Sequence, residues 1–204
     1  MRSRKTIRSF MRSATGSAAI EFAFLLPVLL VFLMGIIEYN MIMYASAVLQ
    51  GATVIAAREG KTGYTQSGMS QQDYIYGIVR TRVTGLLDTS IPASPGVAAL
   101  QISSKSYASY NAIGQPEPCI SPTQPPCPGT PGVNFTDVNH NGVWDSDEGS
   151  AGLGGQGDIV VYTVTYSWHV LTPIMSNFLG TNGVVTLSAS SVAKNEPYNV
   201  VSSR

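Results

Sequence analysis

The sequence has little of what most enzyme active sites use. It contains two histidines, His140 and His169, and two cysteines. No serine, cysteine or carboxylate forms a recognisable nucleophile or acid–base set with either histidine. It also lacks a glycine-rich phosphate loop, a dinucleotide-binding fingerprint and internal repeats. These absences argue against an enzyme. Among the functional hypotheses, a membrane-tethered enzyme therefore comes third, after a structural protein and a binding module.

Acidic residues are missing from the N-terminus. Residues 1–16 contain five basic side chains and no acid, whereas the remainder contains seven basic and twelve acidic side chains. A basic segment can bind nucleic acid, but this one directly precedes an apolar run, which is typical of a membrane-topology signal. Because the next basic residue is Arg58, we expect a cytoplasmic N-terminus, with the chain after about Tyr39 outside the cytoplasm. Nucleic-acid binding is the weaker interpretation.

Residues 18–37 form an apolar run of 20 residues with one charge, Glu21. At 1.5 Å per residue such a helix is about 30 Å long, which matches the hydrocarbon thickness of a bilayer. The small residues 16–19 precede the run, whereas the cleavage site of a secretory signal peptide follows its apolar core. The run also continues without a break into a helix-compatible stretch up to Arg58. The pattern therefore predicts a retained helix and a single-pass protein of the inner (cytoplasmic) membrane.

The segment from Gly16 to Phe22 resembles a known processing site. Gly16-Ser-Ala-Ala-Ile-Glu21-Phe22 is similar to the cleavage site of prepilins, where a peptidase cuts after glycine and leaves glutamate at the fifth mature position. The wider stretch Gly16–Pro27, with Ala-Ala-Arg58-Glu-Gly60 downstream, is similar to TadE-like pseudopilins of tight-adherence (Tad/Flp) pilus systems. Four later features agree with this resemblance: Gly157-Asp158 opening a strand, Tyr166 near its end, Thr172-Pro173, and Asn195-Glu196-Pro197-Tyr198.

The resemblance implies a function and assigns roles to the start of the helix. A prepilin peptidase would cut after Gly16, so that Ser17 becomes the new N-terminus. Glu21 and Phe22 would then be the fifth and sixth mature residues. Glu21 would either stay at the membrane interface or pair with the α-ammonium of a neighbouring subunit. The implied protein is a pseudopilin in the filament, at its tip or in the membrane, with the peptidase, other pilins and the assembly machinery as partners.

The remaining pattern predicts an α+β class, in which helices are followed by a small antiparallel sheet. A second helix should begin after Ser70, which with Asp73 is close to a capping box. Strands are expected over residues 97–107, 158–170 and 183–193. The chain thus divides into a basic leader (1–16), a transmembrane and stalk helix (17–60) and an extracytoplasmic domain (61–204).

Cys119 and Cys127 lie in a proline-rich stretch, residues 116–131, that reads as a loop. In an oxidising extracytoplasmic space a disulfide between them is favoured over free thiols, and it would fix this loop. A two-cysteine metal site would need further ligands nearby, and none stand out.

The twelve residues Asp137–Glu148 fit the EF-hand calcium loop at every ligand position. Gly142 allows the sharp turn, and the expected ligands are Asp137, Asn139, Asn141, the carbonyl of Val143, Asp145 and Glu148. The alternative is a surface turn of the same composition. No helices are expected to flank the loop, so bound Ca²⁺ would be structural. An unprocessed, membrane-anchored calcium-dependent adhesion or binding module is accordingly the second functional hypothesis.

Overall fold

The computed structural model describes residues 17–120, 127 and 134–197. The predicted leader with Gly16 and most of the proline-rich loop after Ile120 lie outside the described residues. The described elements are α1 (Ser17–Gly60), α2 (Gln71–Thr84), β1 (Leu100–Tyr107), β2 (Ser150–Ala151), β3 (Ile159–His169) and β4 (Val184–Lys194), with short 3₁₀ turns at Tyr110–Ala112 and Met175–Asn177. The described residues form two compact units. One contains residues 17–43 and 169–185, and the other contains the described residues of 44–168 and 186–197.

α1 is a 44-residue helix that contains the predicted membrane span. Among the described residues it is the one helix long and apolar enough to cross a membrane, with a mean hydropathy of 2.6 over its best 18 residues. Its large apolar side chains between Ile20 and Ile37, such as Phe24 and Val28, are exposed, as the side chains of a lipid-facing helix would be. Pro27 lies inside the helix, where its missing N–H removes one backbone hydrogen bond.

α2 begins at the predicted cap. The Ser70 hydroxyl oxygen accepts the backbone N–H of Asp73 at 3.0 Å, and the same hydroxyl donates to the Asp73 carboxylate at 2.6 Å. Ile75, Val79 and Val83 recur every four residues and are buried, so they form the core-facing stripe. After the Gly85 cap, Leu86 is exposed and Leu87, four residues after Val83, is buried.

The sheet has the strand order β2-β1-β3-β4 and is antiparallel, which confirms the α+β class. β1 pairs with β3 from Leu100 opposite Tyr166 to Tyr107 opposite Ile159. On β3, alternate side chains point to the core, and Val160, Tyr162, Val164, Tyr166 and Trp168 are buried. The two-residue strand β2, which pairs with β1 at Lys105 and Ser106, was not predicted.

The end of α1 packs closely against β3 within the second unit. A Cβ added to Gly60 would overlap the hydroxyl oxygen of Tyr162 and lie 2.6 Å from its Cζ atom. Side chains on the preceding turns of α1, including Leu49, Ala52 and Ala56, are buried. The helix therefore meets Tyr162 of β3 at its terminal glycine, where a side chain would not fit.

Candidate functional site

The residues that the resemblance assigns to assembly lie in the first turns of α1. α1 starts at Ser17, and Glu21 and Phe22 lie on its first turns with exposed side chains. Residues four apart lie on the same face of a helix, so Glu21 is one turn from the position where cleavage would create an α-ammonium. The structure thus places the implied assembly residues together at one helix end. Cleavage and pairing between subunits stay predictions.

The Asp137–Glu148 loop is folded by its own side-chain oxygens. The Asp137 carboxylate accepts the backbone N–H groups of Asn141 at 3.2 Å and Gly142 at 2.9 Å. The side-chain oxygen of Asn139 accepts the N–H of Asn141 at 3.1 Å, and that of Asn141 accepts the N–H of Val143 at 2.7 Å. Gly142 has a φ of +80°, a conformation that glycine adopts without a steric penalty. The polar residues at positions 1, 3 and 5 therefore shape a tight turn.

Asp145 connects the two halves of the loop. Its carboxylate accepts the side-chain amides of Asn139 at 2.7 Å and Asn141 at 2.5 Å. These hydrogen bonds favour the ionised form and hold the pKa of Asp145 below its ordinary value. Four of the six expected calcium ligands therefore belong to one hydrogen-bonded cluster.

The fit of this cluster to a metal is incomplete. Across residues 17–120, 127 and 134–197, no three His, Cys, Asp or Glu side chains are gathered in a way that could hold a metal ion. The amide nitrogens of Asn139 and Asn141 face Asp145, whereas a cation would need their oxygens. Glu148 is held through its backbone N–H, which donates to the backbone carbonyl of Gln115 at 2.8 Å. The expected ligands are all oxygen atoms, which is the chemistry that Ca²⁺ prefers, and calcium binding stays a prediction.

Glu117, for which the sequence predicted no role, binds the backbone of the Asp137–Glu148 loop. It is 0% exposed, and its carboxylate accepts the backbone N–H groups of Val138 at 2.8 Å and Asp145 at 3.0 Å. Its carbonyl oxygen accepts the indole N–H of Trp144 at 3.0 Å. One buried carboxylate therefore bonds the ligand-bearing segment near its start and at its ninth residue. The one signal in the sequence is that Glu117 is the only charged residue between Lys105 and Asp137.

Asp147 ties the loop to the sheet. It lies 2.7 Å from the Lys105 ammonium and accepts the Tyr107 hydroxyl at 2.9 Å, and both partners belong to β1. Burial acts to raise the pKa of Asp147, but the hydrogen bonds from Lys105, Tyr107 and the Gly149 N–H outweigh it, so this pKa is lowered. Burial, together with the Asp147 charge, raises the pKa of Tyr107.

The disulfide prediction is confirmed. Cys119 and Cys127 are bonded, with a Cα–Cα separation of 5.8 Å. The backbone around Cys119 also pairs with Phe135, since the Ile120 N–H donates to the Asn134 carbonyl at 2.9 Å and the Thr136 N–H to the Pro118 carbonyl at 2.9 Å. The bridged loop and the start of the Asp137–Glu148 loop are therefore joined in one local structure.

These features define an α+β protein with a single candidate membrane helix among its described residues and a disulfide-containing domain. Residues 16–58 match the model of the TadE-like protein family, which confirms the resemblance over the processing motif and most of α1. The match supports a component associated with Tad pili. The features between residues 157 and 198 lie outside it. No curated protein and no solved structure matches the chain.

Proposed function

We propose that the protein is a pseudopilin that takes part in Tad/Flp pilus assembly and is processed by a prepilin peptidase after Gly16. The observation that carries the proposal is the TadE-like match, which covers residues 16–58 and so includes both the cleavage motif and the span. The proposal assigns the protein no enzymatic activity. Its partners are the peptidase, other pilins or pseudopilins, the assembly machinery and the inner membrane.

Charge neutralisation gives Glu21 its role in this proposal. Cleavage removes the five basic side chains of the leader and creates an α-ammonium on Ser17. When helices of neighbouring subunits pack in the apolar layer, the ammonium of one subunit faces Glu21 of the next. Each charge is costly to bury alone, and the pairing offsets that cost. The exposed apolar side chains around Phe22 provide the helix–helix contact.

Processing is tested by the mature N-terminus. Gly16→Val should block cleavage, because the branched side chain cannot follow glycine through a tight peptidase site. Ala14→Val, which adds a similar bulk two residues upstream, is the matched control and should still be cut. Both variants and the wild type are incubated in membranes that contain the peptidase, and N-terminal sequencing follows. A wild-type chain that keeps residues 1–16, as the Gly16→Val chain should, would contradict the proposal.

A second candidate function is an unprocessed, membrane-anchored calcium-dependent adhesion or binding module. The observation that favours it is the closed Asp137–Glu148 loop, which Glu117 fixes from beneath and Asp147 ties to β1. The same N-terminal sequencing separates the two functions, since this module would retain its leader.

A further inference from the structure

The segment between β3 and β4, residues 170–183 (the β3–β4 loop), is attached to the outer end of the apolar run. Glu38 on α1 is 1% exposed, and its two carboxylate oxygens lie 3.2 and 3.1 Å from the backbone N–H of Leu171, which they accept. Both residues belong to the unit formed by residues up to Met43 and His169–Val185. A buried carboxylate bonded to a backbone N–H is a specific attachment point.

A second contact lies one helical turn earlier on α1. Met175 of the loop is buried, and a Cβ added to Gly35 would stand 3.7 Å from its sulfur atom, which is ordinary van der Waals contact. Gly35 and Glu38 are three residues apart and therefore lie on one face of the helix. The β3–β4 loop consequently lies alongside α1 at the level where the apolar run of residues 18–37 ends.

The loop exposes three large apolar side chains. Phe178 is 76% exposed, Leu171 61% and Ile174 44%. The loop contains no Asp, Glu, Lys or Arg between residues 170 and 183. Its backbone is closed on itself, since the Val170 N–H donates to the Gly183 carbonyl at 2.9 Å and the Ser176 N–H to the Thr172 carbonyl at 3.0 Å. Large apolar side chains exposed together on one compact loop mark a surface that another apolar phase covers.

We infer that the β3–β4 loop is a second membrane contact, which inserts Phe178, Leu171 and Ile174 into the outer lipid interface. Lipid is the occupant because the loop belongs to the same unit as the span and is attached at its end, where Ile36 and Ile37 are also exposed apolar residues. A run of 20 residues fills the hydrocarbon layer, so the level of Gly35–Glu38 coincides with the boundary between acyl chains and headgroups. The inference rests on the membrane anchoring in the proposed function.

Spin labels on the full chain test this contact. Both native cysteines are bonded to each other, so a cysteine introduced by Phe178→Cys can be labelled selectively with a nitroxide. The protein is reconstituted in phosphatidylcholine–phosphatidylglycerol vesicles, and collisions of the label with oxygen, which partitions into lipid, and with a water-soluble nickel chelate are measured. Phe32→Cys in the span and Gln72→Cys on α2 are the lipid and water controls. The ratio of oxygen collisions to nickel collisions should be at least threefold higher for the Phe178 label than for the Gln72 label.

Three other outcomes are distinguishable. If the Phe178 label is as open to nickel as the Gln72 label while the Phe32 label is protected, the lipid contact is wrong and the anchoring stands. If the Phe178 label is shielded from both reagents, protein covers this surface, such as a second copy of this chain, and the inference is overturned. If the Phe32 label itself is open to nickel, the proposed anchoring fails.

Variants at Glu38 give an independent readout of the attachment. Glu38→Gln keeps an oxygen that can accept the Leu171 N–H, whereas Glu38→Ala removes it. With the label at Phe178, Glu38→Ala should raise nickel access severalfold and Glu38→Gln should leave it close to that of the unaltered chain. Equal nickel access in all three chains would contradict a role of this hydrogen bond in holding the loop at the membrane.

Discussion

Gly60 ends α1 where the helix meets the hydroxyl of Tyr162. An alanine Cβ there would overlap that hydroxyl oxygen and lie 3.3 Å from Ile75 Cδ1. We expect Gly60→Ala to lower the free energy of unfolding by about 1–3 kcal/mol, the usual cost of overpacking a core. Gly51→Ala is the matched control, because a Cβ on this helical glycine meets nothing within 4 Å and should stabilise the helix by roughly 0.5–1 kcal/mol. Chemical unfolding of the full chain in detergent measures both, and equal effects would contradict the close approach.

Single residues also show where sequence patterns stop being informative. The Ser70 cap was predictable because its partner, Asp73, is three residues away and the pairing is local. Glu117 was not, because its carboxylate binds N–H groups at Val138 and Asp145, more than 20 positions along the chain. Glu38 likewise bonds Leu171 across 133 positions. Periodicity carries no information about such contacts.

At the scale of elements, Asp147 is the pH-sensitive link between the Asp137–Glu148 loop and β1. Its pKa is lower in the folded chain than the unfolded value of about 3.9, so its contribution to stability is complete above that value and is lost as the pH falls through the lowered pKa. We expect the stability difference between wild type and Asp147→Asn to be constant from pH 7 to 5 and to shrink once the pH falls below about 4. Glu196→Gln, which removes an exposed pair with Lys61, is the control for surface charge. A difference that is independent of pH would contradict this role.

The disulfide links Cys119, close to Glu117, with Cys127, which precedes Asp137 in the chain. Without reductant, a membrane-impermeant maleimide should label neither Cys119 nor Cys127, since both are bonded. After reduction, intact cells should become labelled from outside, because the domain is proposed to lie beyond the inner membrane. The loop-entropy model predicts that reduction of a disulfide across so short a loop lowers the free energy of unfolding by roughly 2–3 kcal/mol. Full labelling before reduction would contradict the bond, and no labelling after reduction would contradict the location.

The elements themselves were predictable in proportion to their length and pattern. α1 and β3 carry long apolar or alternating runs, and the structure has them at Ser17–Gly60 and Ile159–His169. β1 begins at Leu100 and not at residue 97, where the chain instead forms a short turn closed by an isolated bridge between Ser94 and Val97. β2 has two residues, too few for any alternation, and it follows closely after Asp147, which bonds Lys105 of β1.

At the scale of the whole molecule, calcium is the ligand expected to couple the loop to folding stability. The loop carries the carboxylates of Asp137, Asp145 and Glu148, and a bound cation would draw them together and neutralise their charge. Two ligand positions are Asn, so the ligand charge is modest and a dissociation constant of about 0.1–1 mM is expected. A cation that binds only the folded chain stabilises it by mass action, by about 1.4 kcal/mol at tenfold excess over the dissociation constant.

The melting temperature of the full chain in detergent should therefore be a few degrees higher in 5 mM calcium than in chelator, about the shift expected from such a stabilisation. Magnesium should substitute poorly, because it prefers six ligands in a tight octahedron. Glu148→Gln should remove most of the increment, since position 12 binds through both carboxylate oxygens. Asp147→Asn is the matched control. Asp147 carries an adjacent negative charge, bonds Lys105 and is not an expected ligand. The rise in melting temperature with calcium should therefore persist in this variant. An unchanged melting temperature in wild type would leave Asp137–Glu148 an ordinary surface turn, held in shape by Glu117 and its own hydrogen bonds.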